Sequence, residues 1–91
     1  MEEKFLQAAA AARTQAEALG VRIRPLTDMT AAHKILSGHR ESDGFFQLAA
    51  KGRLDLSLEA LAVSKQFTAL FSDEEANNAL TRLLDAGYTF Q

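Results

Sequence analysis

The chain has 91 residues, no cysteine, no tryptophan and a single proline, Pro25. Without thiols there is no disulfide, no cysteine-ligated zinc, no iron–sulfur cluster and no thiol nucleophile. That composition suits a reducing cytoplasm, and a cytoplasmic location is the expectation. No uninterrupted apolar run approaches the length that crosses a membrane. The opening Met1-Glu2-Glu3-Lys4-Phe5-Leu6-Gln7 is acidic where a signal peptide is basic, so the reading is a soluble protein with no membrane partner. There are five glycines, and Gly38, Gly44 and Gly52 stand too far apart to form a phosphate cradle. Asp73, Glu74 and Glu75 lack the repeated oxygen ligands and the turn of a calcium loop. No cofactor is expected.

What is present is a helical vocabulary. Hydrophobic residues make up 47% of the chain, but many are alanines, so the core must rest on a few Phe, Leu and Ile side chains, Ile35, Phe46, Leu80 and Leu84 among them. A chain of this length forms one domain, 1–91, with a modest core. Charge is uneven. Residues 1–40 carry six basic against four acidic groups, a net of +2, whereas residues 41–91 carry four against eight, a net of −4. A weakly basic and an acidic end can complement each other between copies.

The clearest local signal lies at the end of the chain. Ser72 with Glu75 three residues later is a capping box, Phe71 precedes it, and Gly87 followed by Tyr88 is a helix stop. Ala76, Leu80, Leu83 and Leu84 read as its buried face, with Asn77, Asn78, Arg82 and Asp85 toward water. From Glu2 to about Ala18 the composition predicts an Ala-rich helix that ends at Gly20. Val21-Arg22-Ile23-Arg24-Pro25 alternates apolar and basic residues before the proline and reads as an extended connector. Thr27 or Asp28 starts a helix closing at Gly38, and Ser42 starts another that stops at Gly52. Asp55 caps one around Leu58, Leu61 and Ala62, and Ser64 caps one around Phe67 and Leu70. The predicted fold is all-α, a compact bundle of about five short helices with an Ala-rich N-terminal helix and one short extended connector.

Chemistry is sparse. His33, His39, Glu41 and Asp43 are the only local group with acid/base character, but the two histidines are six residues apart and miss the helical ligand spacing of four. Ser42 is explained as a cap, since a nucleophilic serine needs an aligned activator and an oxyanion hole. No catalytic or metal-binding residue is assigned. The leading expectation is a small non-catalytic protein-interaction or accessory module. Its partner is another protein or a second copy of itself, bound through Phe5, Ala9, Ala12, Ala16, Leu19, Val21 and Ile23. These residues form a small-residue stripe running into the connector. The alternative is a nucleic-acid-binding regulator using Arg22, Arg24, Lys34 and Arg40 on phosphates. A small enzyme with an unassigned site is the third reading.

Overall fold

A computed structural model describes residues 2–88. Five α-helices follow one another: α1 (Glu2–Ala18), α2 (Met29–Ser37), α3 (Phe45–Ala50), α4 (Leu58–Ala62) and α5 (Asp73–Asp85), with single 3₁₀ turns at Leu54–Leu56 and Thr68–Leu70. No strand occurs among the described residues, so the chain is all-α.

Two apolar clusters form the core, and α1 belongs to both. Phe5 joins Met29, Leu36, Phe67, Phe71 and Ala79 in one cluster, while Ala12 and Ala16 join Val21, Phe45, Leu48, Leu54 and Leu83 in the other. Phe5 has no exposed surface and meets Phe67 and Phe71 edge-on at 5.2 and 5.1 Å. Such a ring anchors a helix of otherwise weak hydrophobicity, since truncating a buried Phe costs roughly 3–5 kcal/mol. The alanines let α1 lie close to the rest of the bundle. Leu61 and Val63 pack against both clusters and join them.

The connector runs extended from Val21 and is fixed from two sides. The Arg13 side chain donates from Nε to the Ile23 carbonyl at 2.7 Å, and the Arg24 backbone N–H donates to Asp43 Oδ2 at 3.4 Å. Val21 itself is buried. At Gly44, which precedes α3 with φ of 75°, a Cβ would sit 2.6 Å from Val21 Cγ1. Only glycine suits that crossing, because it combines a left-handed backbone with a close approach.

The ends of α5 follow the sequence reading. Ser72 Oγ accepts from the Glu75 backbone N–H at 3.2 Å, and Glu75 Oε1 accepts from the Ser72 N–H at 2.8 Å. Gly87, with φ of 82°, lets Tyr88 N–H reach the Leu83 carbonyl at 2.9 Å. Asp28 caps α2 through the Ala31 N–H, and the helix closes at Gly38.

Other expectations require correction. The buried face of α5 is turned by about one residue. Glu75, Ala79, Arg82 and Leu83 are inside, whereas Leu80 and Leu84 are 37% and 56% exposed. Polar partners satisfy both, His33 and Ser72 for Glu75 and Glu59 with the end of α2 for Arg82, which offsets the cost of burying them. Phe46 is also exposed, with its ring edge-on to Phe45. The third helix begins at Phe45 and not at Ser42, whose polar groups bond to Glu59. Ser57 caps α4 in place of Asp55, which pairs with Arg53 at 3.1 Å. The Ser64 hydroxyl donates back to the Leu61 carbonyl, and the segment after it forms a 3₁₀ turn instead of a helix.

Candidate functional site

A groove of about 590 Å³ opens between α1, the connector, α2 and α4. Leu6 and Ala9 of α1, Leu26, Ile35 of α2, and Leu58 and Leu61 of α4 line it, all of them half-buried. Ile35, expected in the core, stands at this opening and belongs to neither core cluster. Around the apolar floor lie Arg24, Lys34, His39 and Arg40, all exposed, with Arg13, Glu41 and Asp43. The volume is in the range of ligand clefts.

The wall that carries His39, Arg40 and Glu41 is set by a buried polar network. The last carbonyls of a helix have no partner within it. In α2 they are met by α5: Asn78 Nδ2 donates to the Leu36 carbonyl at 3.0 Å, and Arg82 donates to Ile35 at 3.3 Å and to Gly38 at 2.6 Å. The same guanidinium lies 3.4 Å from Glu59 Oε2, and Glu59 is fully buried. Glu59 also accepts from the Ser42 N–H at 2.8 Å and from the Ser42 hydroxyl at 2.5 Å. Residues 38–42 are thereby tied at one end to α5 and at the other to α4. Between these ties His39, Arg40 and Glu41 line the groove.

A second polar centre joins α2 to the start of α5. His33 Nδ1 lies 2.8 and 3.0 Å from the two Glu75 carboxylate oxygens, with its ring against Phe71 at 5.2 Å. Burial pushes the Glu75 carboxyl up, but the Ser72 backbone N–H and the His33 ring outweigh it and hold the carboxyl below its ordinary value. The pairing separates His33 from His39, Glu41 and Asp43. Those three line the groove and His33 does not. No group of three or more histidine or carboxylate side chains that could hold a metal occurs among the described residues.

The structure redistributes the residues singled out from sequence. Phe5, Ala12, Ala16 and Val21 lie in the core and are closed to a partner. Leu19 is half-buried against the second cluster. Ala9 and Ile23 line the groove. Of the four basic residues, Arg24, Lys34 and Arg40 gather at the groove, and Arg24 also pairs with Asp43 at 3.6 Å. Arg22 does not line the groove but an adjoining charged depression, shared by Arg13, Arg24 and Asp43 and completed by Glu17. The Glu59–Arg82 pair is absent from the sequence reading. Its one local sign is two charged residues set within Leu- and Ala-rich helices.

No family model matches the chain, and no curated protein or solved structure does. No described helix is long and apolar enough to cross a membrane.

Proposed function

We propose that the chain is a non-catalytic protein-interaction module that docks an acidic amphipathic helix in the groove between α1, the connector and α2. One observation carries the reading: a floor of half-buried Leu and Ile side chains is bordered by Arg24, Lys34 and Arg40, all exposed. A helix with apolar residues three and four apart fits such a floor, and acidic flanks suit the cationic border. Burial of Phe5, Ala12, Ala16 and Val21 moves the contact away from the α1 stripe and onto the groove. The gathering of three basic residues also serves the nucleic-acid reading. The apolar floor favours a protein segment.

Fluorescence anisotropy separates the two. The probes are a labelled synthetic helix with leucines at helical spacing and glutamates elsewhere, and labelled single-stranded and duplex DNA and RNA at low salt. The helix is expected to bind, and Ile35→Glu to weaken it about tenfold or more, a loss of at least 1.4 kcal/mol. Binding of nucleic acid without binding of the helix would replace the reading with the nucleic-acid one. Helix binding that ignores Ile35→Glu would place the contact elsewhere.

A further inference from the structure

We infer that the groove receives the outer face of α5 from a second copy of this chain, so that copies associate head to tail. The inference rests on the groove reading above and names its occupant. The outward residues of α5 are Asp73, Glu74, Asn77, Leu80, Thr81, Leu84 and Asp85. Leu80 and Leu84, four residues apart, share one side of the helix, and at 37% and 56% exposure they are among the few large apolar side chains left in water. The sole cation of α5, Arg82, is turned inward onto Glu59 and the end of α2, so the outer face carries leucines, carboxylates and the neutral Asn77 and Thr81, with no cation. That is the chemistry the groove selects: leucines for the floor, carboxylates for Lys34 and Arg40.

No residue of α5 lines the groove. One copy can therefore offer α5 while keeping its own groove open, which makes the contact heterologous. Two such contacts close a pair when the exchange is reciprocal, and otherwise the chain of copies continues.

Light scattering after size exclusion, over a micromolar to millimolar series at low salt, tests this with the full chain. Wild type is expected to gain mass with concentration and to lose it as salt screens the charges. Two variants block one surface each. Leu84→Lys spoils the donor helix and Ile35→Glu spoils the acceptor groove; circular dichroism checks that both keep the wild-type helical signal. Each alone should be monomeric, or weaker in self-association by about tenfold or more. An equimolar mixture should associate again and stop at one copy of each, because a single good donor meets a single good acceptor. A wild type that stays monomeric throughout overturns the inference. So does a mixture no heavier than its components, or a Leu84→Lys variant that associates like wild type. If the wild type is monomeric yet binds the synthetic acidic helix, the docking function stands with a different partner. If it does neither, both readings fall.

Discussion

Replacing Arg82 by methionine keeps the aliphatic stem and deletes the guanidinium. Three acceptors lose a partner: the Gly38 carbonyl at 2.6 Å, the Ile35 carbonyl at 3.3 Å and Glu59 Oε2 at 3.4 Å. The two carbonyls are only partly buried, so water can replace much of what they lose. Glu59 is different. It has no exposed surface, and Ser42 alone remains bonded to it. Removing one member of a buried ion pair costs about 3–5 kcal/mol, because the other charge stays behind without compensation. Against a total of roughly 5–14 kcal/mol for a domain of this length, that is a large share. Circular dichroism in urea is the assay, since the chain has no tryptophan to report by fluorescence. With a slope of about 1.5 kcal/mol/M, the midpoint should fall by about 2–3 M at unchanged slope. Adding Glu59→Gln removes the stranded charge and keeps an acceptor for Ser42, so the double variant should recover about 1–3 kcal/mol. An Arg82→Met variant within about 0.5 kcal/mol of wild type would refute the reasoning. A double variant no more stable than the single one would do the same.

Two further outcomes follow from local geometry. The Glu75 carboxyl is held below its ordinary value, so ionised Glu75 favours the folded state. Its contribution is complete above the ordinary value and is lost as the pH falls through the depressed one. Glu75→Gln, which retains an acceptor for the Ser72 N–H, should therefore flatten the acid limb of a plot of urea midpoint against pH, and superimposable limbs would contradict that. Gly44→Ala should destabilise the domain by more than about 1 kcal/mol in the same urea assay, since it strains a left-handed backbone and drives a methyl group into Val21. A neutral effect would mean that the connector can lift away from this crossing.

Local signals in the sequence were enough for much of this fold. The capping box at Ser72 and Glu75, the stop at Gly87, the Asp28 cap, the alanine helix and the extended connector each depend on residues within a few positions of one another. What escaped depends on distant ones. Arg82 reads as a surface residue until the open end of α2 and Glu59 are brought beside it, and that displacement turns the helix so that Leu80 and Leu84 face outward. Ser42 has a cap-like position before a glycine, yet a buried carboxylate 17 residues away holds it more strongly than a helix end does. Asp55 and Ser57 show how evenly matched neighbouring caps are: either could open α4, and the structure uses Ser57 while Asp55 pairs with Arg53. The basic residues of the groove were visible one by one. Their gathering was not, because it requires the connector to cross over Gly44 and α2 to end beneath Arg82.

The carbonyls of Ile35, Leu36 and Gly38 are met by side chains 47, 42 and 44 residues further along the chain. The last turn of α2 therefore lacks the usual freedom of a helix end to fray alone. Opening it means undocking α5, and undocking α5 takes Arg82 from the buried Glu59 and leaves it Ser42 alone. Local fluctuations at these places merge into one cooperative unit, whose amides should exchange with solvent at a common, slow rate. The 38–42 strip that borders the groove inherits that stillness. A helix docked there as proposed would meet a wall already in place, and little of the binding free energy would go into ordering it.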